Sequence, residues 1–249
     1  MLTPQQLTHY HEQGFVIPDF RLPESTIQSI KDDFDRLLVQ YPEFRQNCPA
    51  LLTYDTTFLN YARSPAILDM VAQILGEDIA IWNSSFFGKP ARDGKRVPWH
   101  QDGRYWPIRP LASCSVWIAI DDSNTENGCL RFIPGSHRSR QLFKHENNPS
   151  DNLVLSLELM RSEFDESTAV DIVLESGQIS LHDVFLMHGS EPNTSGKPRR
   201  GMTLRFFPTT SVYERDIEGG DQPRSLFLMR GIDRSGRNDF VVKPLPAPN

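Results

Sequence analysis

The sequence predicts a mainly β fold, a β-sandwich or jelly roll with α-helices packed outside it, and three observations carry that reading. Apolar residues recur at three- and four-residue spacing in the first third of the chain. From residue 78 onward, short runs rich in β-branched and aromatic residues alternate with Gly, Pro, Asn and Asp. No fixed-period repeat or low-complexity tract interrupts the 249 residues, a length suited to one large β-rich domain.

Taken in order, Thr3 can cap a helix whose first position is Pro4, and Gly14 ends it before the apolar run Phe15-Val16-Ile17. A second helix is expected from Leu22-Pro23-Glu24, with Ile27, Ile30, Phe34, Leu37 and Leu38 as its buried stripe. A third starts at Ser64-Pro65, carries Ile67, Leu68, Val71, Ile74 and Leu75, and stops at Gly76. This helical part covers about 1–77. Strands are then expected at Asp78–Asn83, Ser113–Asp121, Cys129–Ile133, Ala169–Leu174, Gln178–His182 and Gly201–Pro208, giving a β core over about 78–210. The polar stretch Lys144–Glu166 reads as a loop or insertion, and 211–249 as a tail able to cover an opening. The whole of 1–249 reads as a single domain.

Composition excludes several classes of function. A formal charge of −6 gives no global reason to bind nucleic acid or an anionic membrane. No apolar run approaches the ~18 residues of a spanning helix. Met1-Leu2-Thr3-Pro4-Gln5-Gln6 is neither basic nor apolar, so no secretory signal is expected. Cys48, Cys114 and Cys129 form no CxxC pair, and reduced thiols in a cytoplasmic protein are the simplest reading.

The chemistry is concentrated in two short segments. Trp99-His100-Gln101-Asp102-Gly103 places a histidine and a carboxylate two residues apart, which in a strand turns both to one face. Alone, such a pair is weak evidence, since chance supplies it readily. A second histidine, His188, closes the apolar segment Leu186-Met187-His188, and Arg199 follows eleven residues later. Two histidines and one carboxylate on one face of a metal leave three octahedral positions open, as in non-haem Fe(II) oxygenases. An α-keto acid fills two of these and O2 the third. The far carboxylate of the keto acid then needs a cation, for which arginine suits through bidentate, charge-assisted hydrogen bonds.

The segments Trp99–Gly103, Trp117-Ile118-Ala119-Ile120-Asp121-Asp122, Asn127-Gly128-Cys129-Leu130-Arg131-Phe132-Ile133-Pro134-Gly135-Ser136-His137 and His188–Arg200 together resemble the phytanoyl-CoA dioxygenase family, over about residues 80–208 and more loosely over the helices. The resemblance implies a double-stranded β-helix of cupin-like form, with Fe(II), 2-oxoglutarate as cosubstrate, and O2. It implies His100, Asp102 and His188 as iron ligands, Arg199 as the clamp on the distal carboxylate, and Ser190 hydrogen-bonding beside it. Gln101 and Trp117 match positions that line the cosubstrate pocket. Arg200 is the rival to Arg199, but the eleven-residue interval favours Arg199 and strand alternation turns Arg200 outward. Halogenating relatives carry a small residue where Asp102 stands, so oxygenation is the implied outcome. 2-Oxoglutarate would be decarboxylated to succinate and CO2 as a substrate C–H bond is hydroxylated.

Around these motifs, Lys89, Arg104, Tyr105, Trp106, Arg109 and Arg205 are expected to form a pocket for a small, anionic substrate, with solvated loop arginines as the plainer alternative. Arg205 shares strand parity with Arg199. His182 reads as a structural histidine and His137 as part of a turn. Arg224, Arg230, Asp233 and Arg234 fit either a lid or a solvated wrap. Two rival functions stand beside the oxygenase: a cupin-like metal-dependent isomerase or hydrolase, which would not need Arg199, and a non-catalytic protein that binds 2-oxoglutarate and metal.

Overall fold

Local sequence sets the helices of the computed structural model, which describes residues 1–214 and 224–241. Helix α1 (Pro4–Gln13) opens on a reciprocal capping box between Thr3 and Gln6 and closes at Gly14, whose φ of 86° no β-carbon obstructs. The chain then forms a short strand, β1 (Phe15–Val16), and helix α2 (Glu24–Gln40), which buries Ile27, Ile30, Phe34 and Leu37. Strand β2 (Asn47–Cys48) and the single turns α3 (Leu51–Tyr54) and α4 (Leu59–Ala62) lead to α5 (Pro65–Leu75), which buries Ile67, Met70 and Val71. Among the described residues no helix is long and apolar enough to cross a membrane.

The strands that follow are β3 (Ile79–Lys89), β4 (Val97–Gln101), β5 (Ile108–Arg109), β6 (Cys114–Ala119), β7 (Leu130–Phe132), β8 (His145–Asn147), β9 (Leu157–Leu159), β10 (Val170–Ile172), β11 (Ile179–Asp183), β12 (Met187–Ser190), β13 (Arg199–Pro208), β14 (Val212–Tyr213) and β15 (Phe227–Arg230). They build two main antiparallel sheets. The larger runs β1-β11-β6-β13-β3-β15, with β2 also on β3; the smaller runs β10-β7-β12-β4. This is the expected jelly roll.

Alternation along β6, β13 and β3 sorts the residues of the larger sheet. Val116, Ile118, Met202, Leu204, Ile81 and Phe86 face outward into the main apolar core under the helices. There the Phe34 ring of α2 stacks on Phe86 at 3.6 Å, and each such buried ring stabilises the fold by about 2–3 kcal/mol. The opposite face, carrying Asn83, Ser85, Trp117, Thr203 and Arg205, looks toward the smaller sheet and is polar. A sheet covered by helices on one side thus leaves its other face for chemistry.

Three boundaries differ from expectation. Strands β3 and β13 pair along Arg199↔Lys89 to Pro208↔Ile79, so both are longer than their local composition suggests. The Lys144–Glu166 stretch contains the β8–β9 hairpin, whose Arg96–Glu158 ion pair (2.7 Å) ties it to the chain just before β4. The tail is partly sheet: β14 pairs with β5, and β15 extends the larger sheet beside β3. Its expected role over an opening falls largely on 215–223 and 242–249, which lie outside the described residues.

Candidate active site

Sheet register brings the three metal-ligand candidates together. His188 on β12 is the cross-strand partner of His100 on β4, and their rings lie 4.1 Å apart. Each Nδ1–H donates to the carbonyl two residues earlier, His100 to Pro98 at 2.8 Å and His188 to Leu186 at 2.9 Å. That leaves both Nε2 lone pairs to point at one spot, as metal-binding histidines require. Asp102 sits just past β4, in a 3-10 turn, so its side chain arrives by a turn and not by the strand alternation expected. Its Oδ1 is 3.8 Å from His100 Nε2 and 4.0 Å from His188 Nε2. Its Oδ2 accepts from Ser115 Oγ at 3.0 Å, with His182 Nε2 at 3.6 Å. The two oxygens therefore face different neighbours, one inward to the histidines and one toward β6 and β11.

Electrostatics favour ligation. Burial opposes charge on Asp102, yet His100, His182, His188 and Arg205 around it hold its pKa well below the usual carboxylate range. Burial and the neighbouring His100 push His188 well below the ordinary histidine value, keeping its Nε2 unprotonated.

The inner cavity of about 400 Å³ holds this triad together with Arg199, Ser190, Trp117, Thr203 and His182. Arg199 is 1% exposed and, among the described residues, pairs with no carboxylate. Its Nη2 donates to the Gly128 carbonyl at 2.9 Å, while Nε is buried without a partner. Burial lowers its pKa to about 10, so the guanidinium stays charged at neutral pH. Trp117 lies beside it, ring centre 5.6 Å from Cζ. That packing needs Gly201: a β-carbon there would fall 2.2 Å from the indole. Ser190 Oγ is likewise buried and, among the described residues, unpartnered. Arg200 points away from the cavity and grips Asp121 with two bonds, at 2.8 and 3.0 Å.

Several expected residues are elsewhere. Gln101 lies between His100 and Asp102, on the opposite face of β4. Its amide donates to the carbonyls of Gln141 (3.0 Å) and Phe185 (2.8 Å) and accepts from the Phe143 N–H, so it shapes a loop and does not line the inner cavity. Arg104 is exposed. Arg109 is exposed too, its guanidinium turned back onto the carbonyls of Trp106 and Ile108. Lys89 is buried outside both cavities, where its ammonium donates to the carbonyls of Lys95 (2.7 Å), Ser190 (3.4 Å) and Glu191. It staples β3 to the end of β12. Tyr105, Trp106 and Arg205 do line an outer cavity of about 530 Å³ that shares His100, Asp102, Phe87 and Arg205 with the inner one.

Lys89 carries a pH prediction. Burial, and then the nearby Arg199, depress its pKa to about 6. The unfolded chain then binds a proton that the folded chain has released, over a window from about pH 6 up to the ordinary lysine range. Stability of the wild type relative to Lys89→Met should rise with pH across that window, by at most about 1.4 kcal/mol per pH unit. Paired urea midpoints at about pH 6.5 and about pH 9 measure it. A constant difference would mean that the three carbonyls keep the ammonium charged throughout.

Among the other residues of the two cavities, Asn83 and Trp82 were not singled out from sequence, His182 was expected to be structural, and Arg224 to belong to a lid or a solvated wrap. His182 faces the inner cavity, its ring 5.0 Å from His188. Asn83 and Trp82 of β3 and Arg224 beyond β14 line the outer one. The place of His182 before Asp183 at a strand end pointed to a structural histidine over a fourth ligand. For Arg224, the polar character of the tail left a lid and a solvated wrap equally open.

Comparison with known proteins is consistent with this geometry. Residues 10–201 match the family described as Phytanoyl-CoA dioxygenase (PhyH). The chain is 31% identical over 172 residues to a phytanoyl-CoA dioxygenase domain-containing protein 1 homolog of Dictyostelium discoideum, a match covering 67% of this chain and 61% of that protein. It is 25% identical over 249 residues to the peroxisomal phytanoyl-CoA dioxygenase of Homo sapiens, covering 89% and 73% respectively. The solved structure of EvdO2 from Micromonospora carbonacea var. aurantiaca complexed with 2-oxoglutarate superposes with a TM-score of 0.70 at 23% identity, covering 88% of this chain and 96% of that one. At that identity the likeness establishes the fold.

Proposed function

Since the chain belongs to the phytanoyl-CoA dioxygenase family, we propose that it hydroxylates a small, polar, anionic metabolite in the cytoplasm, with 2-oxoglutarate decarboxylated to succinate. It is a 2-oxoglutarate-dependent non-haem iron dioxygenase. The observation that carries the assignment of residues is Arg199, a fully buried guanidinium with no carboxylate partner among the described residues, in the same cavity as the triad. Such a charge is costly unless an anion completes it, and the distal carboxylate of 2-oxoglutarate is that anion. The unpartnered Ser190 hydroxyl supplies a second bond.

The donor set fits the metal: two imidazole Nε2 atoms and one carboxylate oxygen, all within 4.8 Å of one another, are the ligands of a facial Fe(II) site. When bound, iron would let O2 act as the four-electron oxidant, taking two electrons from 2-oxoglutarate as it becomes succinate and CO2 and two from the substrate C–H bond. The chain's own residues orient and shield. Pro98 and Leu186 carbonyls fix the histidine tautomers, Ser115 holds the outer oxygen of Asp102, and Trp117 with Leu130 keeps the clamp dry. Asp102 fills the position that halogenating relatives leave open, which supports oxygenation. Arg205 on the wall shared by the two cavities supports an anionic substrate. All three cysteines are unpaired, which supports a reducing compartment.

The test is anaerobic visible spectroscopy of apo-protein titrated with Fe(II) and then 2-oxoglutarate. A weak charge-transfer band should appear on chelation and require more 2-oxoglutarate in Arg199→Ala. Folded, iron-loaded protein without that band would remove the basis of the residue assignment.

A further inference from the structure

The groups assigned to the distal carboxylate come from different sheets, and one buried side chain spans the gap between them. Ser190 ends β12 of the smaller sheet, and Arg199 opens β13 of the larger one. Lys89, the last residue of β3, is the cross-strand partner of Arg199 and is 2% exposed. Its Nζ crosses to the smaller sheet, donating to the carbonyls of Ser190 (3.4 Å) and Glu191, and also to that of Lys95 (2.7 Å). Gly128, just before β7, is wedged into the same gap: a β-carbon there would lie 2.2 Å from the Glu191 carbonyl oxygen and 3.1 Å from Lys89 Cδ. The Gly128 carbonyl in turn accepts from Arg199 Nη2 at 2.9 Å. Asn193, on the connection from β12 to β13, donates through Nδ2 to the carbonyl of Lys89 itself at 2.9 Å.

We infer that Lys89 is a positioning residue for the cosubstrate, setting the spacing of Ser190 and Arg199 to which the distal carboxylate of 2-oxoglutarate is fitted. The inference rests on the proposed assignment of that carboxylate to Arg199 and Ser190, and adds a residue that does not touch the cosubstrate. Lys89 lines neither the inner nor the outer cavity, so it acts only through the groups it holds. Without Nζ, three carbonyls lose a donor, and the end of β12 loses its bonds across to β3. Charge-assisted bonds between guanidinium and carboxylate are short and directional, so a small shift of Ser190 against Arg199 weakens recognition. The metal end is held separately, because His188 is paired with β4 on one side and β7 on the other. A neutral amine still donates two hydrogens, so the role does not depend on the charge of Lys89.

The test is the preference for 2-oxoglutarate over 2-oxopentanoate, which carries a methyl group where 2-oxoglutarate carries its distal carboxylate. Both present the same keto-acid end to the metal, and anaerobic titration of Fe(II)-loaded protein, followed by the visible band, measures each affinity. Wild type should prefer 2-oxoglutarate about 30-fold or more. In Lys89→Met that preference should fall about tenfold, with 2-oxopentanoate affinity within about twofold of wild type. Lys89→Gln keeps two donors for the three carbonyls and replaces the Met variant if that one does not fold; here the preference should fall about threefold or more. A general loosening of the fold would weaken both keto acids alike and leave the preference where it was. The inference is overturned if every folded variant keeps a preference less than about threefold below that of wild type. Two wild-type results would instead fall on the reading beneath it: no band with either keto acid would overturn the oxygenase assignment, and a band without preference would overturn the role of Arg199.

Discussion

His188→Ala should lower succinate formation about 1000-fold or more, equivalent to about 4 kcal/mol of lost barrier reduction, while the protein still folds. The side chain lies on the inner face of β12, and its one hydrogen bond among the described residues is to the Leu186 carbonyl. Its removal therefore costs the sheet little and the donor set one of three members. Thermal unfolding separates the two effects, since a structural defect would lower the melting temperature and a missing ligand would not. His182→Ala is the informative contrast. It stands near the outer oxygen of Asp102 at 3.6 Å and outside the three-member donor set, so its loss should cost about 10–100-fold, the range for residues that support a ligand. Activity of His188→Ala within tenfold of wild type would show that His182 takes up the ligand position, and the assigned triad would be wrong.

Arg199→Met should make the apoprotein more stable and nearly abolish its response to 2-oxoglutarate. A buried charge without a counter-ion destabilises the empty fold, and a methionine of similar volume removes that cost, by about 1–4 kcal/mol on the scale of buried ionic groups replaced by apolar ones. The same change leaves the distal carboxylate of the cosubstrate unpaired, which should raise the KM for 2-oxoglutarate about 30-fold or more. Arg199→Lys should recover only part of this, because an ammonium cannot offer the two parallel donors of a guanidinium. Melting curves with and without 2-oxoglutarate, on metal-loaded protein, measure both halves at once. A variant that is destabilised when empty, with an unchanged KM, would mean that Arg199 serves the fold through Gly128 and does not bind the cosubstrate.

Local chemistry made much of the fold legible. The limits of α1 and α5 follow from Thr3, Pro4, Gly14, Pro65 and Gly76, because caps and breakers act within a turn of chain. Strands were legible as apolar segments but not in length, since the extra residues of β3 and β13 are strand only through pairing with each other. The β8–β9 hairpin was hidden for a related reason: β8 is polar, β9 is only three residues long, and tertiary pairing overrides their weak local preference.

The sequence by itself supplied the candidate donors His100, Asp102 and His188 and the candidate clamp Arg199, through their spacing and the family resemblance, and the alternation that turns Arg200 away, because motif spacing and residue chemistry are properties of the chain itself. Alternation also separated Gln101 from its neighbours, and the resemblance to relatives pointed the other way. Only the tertiary structure decided which cations line the cavities. Lys89, Arg104 and Arg109 were near the motif in sequence, yet carbonyl cages or solvent take them up. Arg224 lies more than a hundred residues from His100, yet it shares a cavity wall with it. Sequence distance does not rank such residues, because the wall is assembled from β3, β13 and the chain before β15, and long-range register sets which side chains converge.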